Sequence, residues 1–491
     1  MECDKMNFIK FLKQYHVVPI LLIFFFLYLI IGACAPFFRY KPLSEKTEET
    51  IHSAKYVQGT PGCERVMLLE TNMSAWEERM RMIQLAQKEI ILSTFDFRDG
   101  EAPRDILSLL LHKADEGVKV KILVDGFSGL VRMEGRSLFY ALSSHPNVEI
   151  KIYNPMNPFL PWKTQGRMHD KYVIVDNSVF ILGGRNTFDY FIGDYPTNSR
   201  SYDREVLVYN PQPQNGPGDG LLQVRAYFES VWNLPDCKIF HDSEKLASRK
   251  GVQKERQTLT KRYQTLSDAR PDLFQSDETS IRQYYLDNTF EAGKITLLSN
   301  PTHLYGKEPV VFSAITHLIE NAQSSVIFHT PYIVLNDYMY DTLKAAGKHV
   351  PDIKIMINSV ENGDNFFASS DYIRRKKWMA GLGIPIYEYD GGTSYHGKSL
   401  VIDNTLSLIG SYNLDLRSTY MDTELMLAIE SPDLARQLTG YMEQYHKDCR
   451  RLLEDGTYEI PEHITIASVP AWKKAAWTIV GFIMQPFRFL L

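Results

Sequence analysis

Tyr395-His396-Gly397-Lys398-Ser399-Leu400-Val401-Ile402-Asp403, followed by Ile409-Gly410-Ser411-Tyr412-Asn413, is the stretch on which the reading of this chain turns. Side chains two apart on a strand share a face, so His396 and Lys398 project together. The apolar run Leu400-Val401-Ile402 predicts a buried strand, and Asp403-Asn404 supplies turn chemistry before a second strand. A lone His-x-Lys arises by chance in a chain of this length. Here it has a second copy. Met168-His169-Asp170-Lys171-Tyr172-Val173-Ile174-Val175-Asp176 precedes Gly183-Gly184-Arg185-Asn186 with the same internal spacing. In each copy Lys lies at +2 from His, Asp at +7, a small residue at +15 and Asn at +17.

On those paired motifs the chain resembles the phospholipase D superfamily, whose signature is two H-x-K-x4-D motifs meeting in one active site. The resemblance implies an α/β fold of two similar α/β/α halves with pseudo-twofold symmetry and one shared site. The flanking words Gly183-Gly184-Arg185-Asn186, Gly410 to Ser418 and Thr423-Glu424-Leu425 are most similar to those of bacterial cardiolipin synthases, C type.

The rest of the sequence supports a duplication. Trp76 to Gln87 reads as a helix leading into a strand at Glu89–Asp96. Arg104 to Glu116 is a second helix before a strand at Val118–Asp125. The plan repeats as helix Ala314–Gln323, strand Ser325–Tyr332, helix Asp341–Lys348 and strand Asp352–Asn358. Such alternation argues for α/β layering. The divisions expected are a membrane anchor or signal-like segment at 1–40, a first half at 41–237, a charged helical connector at 238–290, read as solvated, a second half at 291–460, and a C-terminal interfacial helix at 461–491.

The 491 residues, 44% hydrophobic, suffice for two cores. A net charge of −5 gives no electrostatic case for nucleic acid as partner. The dense basic run Arg374-Arg375-Lys376-Lys377-Trp378 is read as a solvated or headgroup-facing helix face. Five scattered cysteines make neither a zinc pattern nor a disulfide scaffold, although a Cys63–Cys237 or Cys237–Cys449 bridge stays open. Val17 to Ala35 carries no charge and is long enough to cross the roughly 30 Å hydrocarbon core of a bilayer. Lys5, Lys10 and Lys13 precede it, which places the N-terminus inside and the catalytic bulk on the extracytoplasmic side. Ile31-Gly32-Ala33-Cys34 also resembles a lipoprotein cleavage site; an uncleaved anchor is favoured. Trp472, Lys473 and Lys474 head a short apolar stretch suited to the membrane interface.

Two histidines, two lysines and two asparagines together suit phosphodiester chemistry. Ammonium and amide groups neutralise the phosphate. One neutral imidazole attacks phosphorus while its protonated partner serves the leaving oxygen. The resemblance assigns the roles: His169 as nucleophile and His396 as general acid/base, or the reverse, since the two motifs are near-equivalent, with Lys171, Lys398, Asn186, Asn413 and Ser411 on phosphate. It also implies a carboxylate orienting each histidine, nominated as Glu424 and, by aligning Glu205-Val206-Leu207-Val208 under Glu424-Leu425-Met426-Leu427, Glu205. Asp176 and Asp403 are counted with the motif, and are read as stabilising its turn. Gly184, standing where Ser411 does, removes a donor from the first copy. His329, at a strand end, is a candidate for lining the substrate.

The expected activity is transfer of a phosphatidyl group to phosphatidylglycerol, by a membrane-bound monomer acting on phospholipids without metal or other cofactor. Hydrolysis or transfer on other phospholipids, and a membrane-tethered nuclease, are the alternatives.

Overall fold

A computed structural model describes residues 17–216 and 218–491. Strands are numbered in chain order: β1 Arg65–Leu69, β2 Glu89–Thr94, β3 Lys119–Asp125, β4 Val148–Tyr153, β5 Tyr172–Val175, β6 Val179–Gly183, β7 Ser201–Tyr202, β8 Glu205–Tyr209, β9 Cys237–Ile239 and β10 Phe290–Glu291. The series continues with β11 Ile295–Ser299, β12 Ser325–His329, β13 Asp352–Asn358, β14 Ile386–Tyr389, β15 Ser394–Tyr395, β16 Ser399–Ile402, β17 Leu406–Gly410, β18 Leu425–Glu430, β19 Cys449–Leu452 and β20 Tyr458–Glu459. One nine-stranded sheet runs β10-β1-β8-β6-β5-β2-β3-β4-β9, the other β11-β18-β17-β16-β12-β13-β14-β19-β20. Aligning β1 with β11 and β5 with β16 superposes the two orders from β1 to β9, so the halves are topological copies.

Each sheet holds the same logic. β2, β3 and β4 are mutually parallel, as are β12, β13 and β14. Helices Asn72–Gln84 and Glu101–Asp115 flank the first set; Val310–Glu320 and Asp337–Gly347 flank the second. Three of these helices begin four residues before their apolar periodicity. Caps explain two of those starts: Thr71 forms a capping box with Ser74, and Asn336 accepts from the Met339 N–H. The motif strands β5 and β16 pair antiparallel to β2 and β12 and are buried throughout. One apolar cluster lies between the sheets, uniting Ile174, Leu182 and Val206 with Val401, Ile409 and Leu427.

The connector differs from the solvated excursion expected. Helix Lys250–Ala269 packs Val252 and Leu259 into the first-half core, Leu273, Phe274, Ile281 and Tyr285 follow, and Arg262 donates to the buried Asp105 at 2.6 Å. A narrow apolar stripe is buried here while the rest of the helix surface is charged or polar. Among the described residues Cys34, Cys63, Cys237 and Cys449 are free thiols, so neither bridge forms. Cys3 and Lys5, Lys10 and Lys13 lie outside the described residues.

Helix Val17–Cys34 stands off the body, and residues 18–37 have a mean hydropathy of 2.7, apolar enough to cross a membrane. Its last turns touch the body where Tyr28 donates to the Phe159 carbonyl and Gly32 lies against the Pro161 ring. The C-terminal helix Ala471–Ile483 docks one face, Trp477 and Gly481, on helix Phe366–Ala380, and exposes Trp472, Ile479, Phe482 and Ile483 on the other. Its tail is locked by Arg488, which forks onto Asp371 at 2.7 and 3.0 Å.

Candidate active site

Both motif histidines sit just before their strands, where the two halves exchange backbone hydrogen bonds. The His169 N–H donates to the Thr423 carbonyl at 3.3 Å, and the His396 N–H to the Tyr202 carbonyl at 2.6 Å. β7 pairs with β15 in parallel, and Met168 bridges to Thr423 in the same sense. The last residues of the central parallel strands hold the turn before each histidine. Asp125 accepts from Met168 N–H at 3.0 Å, and Asn358 from Tyr395 N–H at 2.9 Å. Each histidine is therefore fixed by its own half and by the opposite one.

The residue after each of those partner carbonyls carries the orienting carboxylate. His169 Nδ1 lies 2.8 Å from Glu424 Oε1, and His396 Nδ1 lies 2.7 Å from Asp203 Oδ2. Each carboxylate accepts from Nδ1–H, which leaves Nε2 with the lone pair on the open side. Glu424 is where the resemblance placed it. Glu205 is not: it is two residues further on, paired with Arg79 at 2.6 and 2.8 Å and with Arg185 at 3.4 Å. The register shows why. Gly183 faces Glu205 and Gly410 faces Met426, so Asp203, not Glu205, is the counterpart of Glu424. A slip of two residues keeps every side chain on its face, so hydrophobic alternation cannot detect it. The signal that finds Asp203 is Gly184. A Cβ there would come within 2.4 Å of the Asp203 carboxylate, whereas Ser411 in the same place donates to Glu424 at 2.5 Å. The missing hydroxyl of the first copy is the space the shorter acid occupies.

The lysines lie beneath the histidines. Lys171 Nζ donates to the His169 carbonyl at 2.6 Å; Lys398 Nζ donates to the His396 carbonyl and lies 2.6 Å from His396 Nδ1 and 3.1 Å from its Nε2. Burial pulls Lys171 down to about 7 and lowers Lys398 as well. Asn186 and Asn413 are buried at the ends of the second motif strands; Asn186 accepts from the Asp96 N–H at 3.2 Å, and the Asn413 side-chain oxygen has no partner among the described residues. Phe95 packs edge-on to His169 and Phe191 tilts against His396.

Asp176 and Asp403 are not at the centre. Asp176 accepts from the N–H groups of Gln87, Lys88 and Glu89, and Asp403 from those of Gln323, Ser324 and Ser325. Both adopt positive φ, 48° and 51°, at the turn. Four strand residues, roughly 13 Å of chain, separate them from the lysines. They stitch the motif hairpin to the start of β2 or β12. His329 does not line the site either: it is fully buried, stacked on His446 with Nε2 3.1 Å from the His446 Nε2.

The two histidine–carboxylate pairs are electrostatically unequal. Burial pushes the His169 imidazole well below its ordinary value, reinforced by Lys171, Lys398 and His396. Burial also drives the Glu424 carboxyl upward, so charge separation is disfavoured at this pair. At the other pair burial would raise Asp203, but Lys398 and His396 outweigh it and hold the carboxylate ionised. His396 is lowered by burial and Lys398, with Asp203 opposing. The carboxylate that opposes this lowering is held ionised beside His396, whereas beside His169 it is driven toward its neutral form.

The chain matches the family described as "Cardiolipin synthase, PLD-like domain" over residues 80–232 and 315–446, one segment per half and together more than half of its length. It is 25% identical over 426 residues to cardiolipin synthase C of Escherichia coli K12, covering 77% of this chain and 83% of that one. An uncharacterized protein of Helicobacter pylori 26695 is 27% identical over 422 residues, covering 78% and 80%. The structure of phosphatidylserine synthase from Haemophilus influenzae superposes on 91% of this chain and 99% of that one with a TM-score of 0.60 at 14% identity, which shows a shared duplicated fold.

Proposed function

Because this chain belongs to the phospholipase D-like cardiolipin synthase family, we propose that it is a phosphatidyltransferase that makes cardiolipin from phosphatidylglycerol by way of a phosphohistidine. The observation that carries the proposal is the unequal pair of histidines, each held by a carboxylate of the opposite half, above two buried lysines. His169, kept neutral, attacks phosphorus through Nε2. Its lone pair forms the P–N bond as the P–O bond to glycerol breaks, and His396 gives that oxygen its proton. The hydroxyl of a second phosphatidylglycerol then loses its proton to His396 and attacks the same phosphorus, releasing His169. Lys171, Lys398, Asn186 and Asn413 hold the non-bridging oxygens, where charge accumulates in both steps. Ser411 acts indirectly, by bonding Glu424. Because burial disfavours the charged forms of the two lysines, a bound phosphate stabilises those forms and is favoured in turn.

The apolar helix at Val17–Cys34 anchors the protein, with the catalytic bulk placed on the extracytoplasmic side. The exposed face of Ala471–Ile483 is a second membrane contact, since Trp472 and the neighbouring Lys473 and Lys474 suit the headgroup zone and Ile479, Phe482 and Ile483 the acyl boundary. Replacing Trp472, Ile479 and Phe482 with Ser should weaken vesicle flotation of a chain cut before Pro36, and unchanged flotation would remove this contact.

The activity is tested with purified full-length protein in phosphatidylglycerol vesicles, products resolved by mass spectrometry. Cardiolipin and glycerol in equal amounts, unaffected by EDTA, are expected. Phosphatidic acid as the main product would make it a hydrolase, and degradation of single-stranded DNA at a comparable rate a nuclease.

A further inference from the structure

The loops that follow β3 and β13 occupy equivalent places, since Asp125 and Asn358, the last residues of those strands, hold the turns before His169 and His396. Their chemistry is opposite. After β3 the chain exposes Phe127, Leu130 and Val131. After β13 come Ser359 and Val360 and then Glu361-Asn362-Gly363-Asp364-Asn365, a run with no apolar side chain. This second loop is tied to the His396 segment: the Asn362 side-chain amide donates to the Thr393 carbonyl at 3.0 Å, and the Ser359 hydroxyl to Asp390 at 3.0 Å. From the first half, Tyr190 reaches across and donates its hydroxyl to Asp364 at 3.3 Å. Tyr190 adjoins Phe191, the ring that tilts against His396 at 5.1 Å. Ser394, two residues before His396, is nine-tenths buried, and its hydroxyl has no partner among the described residues. The Asp364 carboxylate is also near enough to favour the protonated forms of His396 and Lys398.

We infer that Asp364, Tyr190 and Ser394 form a subsite for the polyol end of the acceptor alcohol, beside His396. This rests on the reading of the protein as a phosphatidyltransferase and adds which residues choose the acceptor. In that reaction the acceptor hydroxyl gives its proton to His396, so the acceptor enters on this side. An exposed carboxylate accepts from two hydroxyls at once, and Tyr and Ser hydroxyls donate or accept as a neighbouring diol requires. Burial and Asp364 push the Tyr190 phenol up to about 12, so it stays a donor. The apolar loop on the His169 side offers nothing comparable to a polyol.

The test uses the full-length protein in phosphatidylglycerol vesicles with deuterated glycerol, 1-propanol and ethanolamine competing at equal concentration. Wild type should form labelled phosphatidylglycerol in excess over phosphatidylpropanol. In Asp364→Asn the glycerol-to-propanol product ratio should fall on the order of tenfold, the loss of a charge-assisted hydrogen bond, and in Tyr190→Phe and Ser394→Ala by a smaller factor. Asp364→Glu should recover part of it. Unchanged ratios in all three variants would overturn the subsite, as would ethanolamine outcompeting glycerol in a manner that depends on Asp364. If wild type forms cardiolipin but no labelled phosphatidylglycerol, the subsite is overturned; if it forms no cardiolipin either, the transferase reading itself fails and the subsite with it.

Discussion

The two halves share a topology but have not kept the same duties. Around His169 the orienting acid is Glu424, bonded also by Ser411 and Ser418 at 2.5 and 2.6 Å. Around His396 it is Asp203, shorter by one carbon, seated over Gly184 and near Lys398. Burial pushes the first carboxylate toward its neutral form; Lys398 and His396 hold the second ionised. The loops beyond differ likewise, apolar beside the first histidine and polar beside the second. Duplication supplies two equal sites, and one carbon of side chain with one hydroxyl makes them unequal. In the mechanism we propose, that difference is what divides the labour between nucleophile and proton carrier.

The largest effects should come from the histidines. His169→Ala and His396→Ala should each reduce transfer by about a thousandfold or more, with circular dichroism unchanged. They should differ when the donor has a good leaving group. His396→Ala then still accumulates a covalent adduct, because no proton is required, while His169→Ala does not. Identical behaviour of the two variants in that assay would erase the asymmetry.

The carboxylates come next. Asp203→Asn should lower turnover on the order of a hundredfold by losing the partner that fixes the His396 tautomer. Glu205→Gln should instead cost about 3 kcal/mol of stability, since Arg79 is left buried and unpaired, with the pH profile unshifted. The reverse outcome would restore Glu205 as the orienting acid.

A smaller effect concerns pH. With Lys171 near 7 in the free enzyme, its ammonium is lost as pH rises through that value. kcat/KM should therefore decline above about pH 7, and in Lys171→Arg the decline should move upward because guanidinium stays charged. A limb that does not move would assign it to another group. Smallest of all, Asp176→Ala or Asp403→Ala should destabilise by about 1–2 kcal/mol through lost backbone acceptors, measured by denaturant melts, without changing product ratios.

Much of this was legible from residue spacing. The repeated His, Lys, Asp and Asn intervals imply two strands per half, the family resemblance they carry implies a shared site, and the apolar N-terminal run is long enough to span a bilayer. What was not legible involves partners from the opposite half. Asp203 was hidden because Glu205 lies on the same face two residues on, inside the more hydrophobic word. The Tyr190–Asp364 contact joins positions 174 apart that share no motif. His329 has the strand-end position of a ligand-binding residue, but His446, on a helix far along the chain, covers it. In the connector, a charged face concealed a buried stripe of few residues.

The central claim is that the covalent intermediate forms in the first half alone. It is tested by acid-free quenching of the full-length protein during turnover of a phosphate-labelled phosphatidylglycerol, followed by peptide mass spectrometry under conditions that preserve phosphoramidate bonds. The account predicts the phosphatidyl label on His169 and none on His396. Label on His396, or turnover with no labelled histidine at any time point, would contradict it.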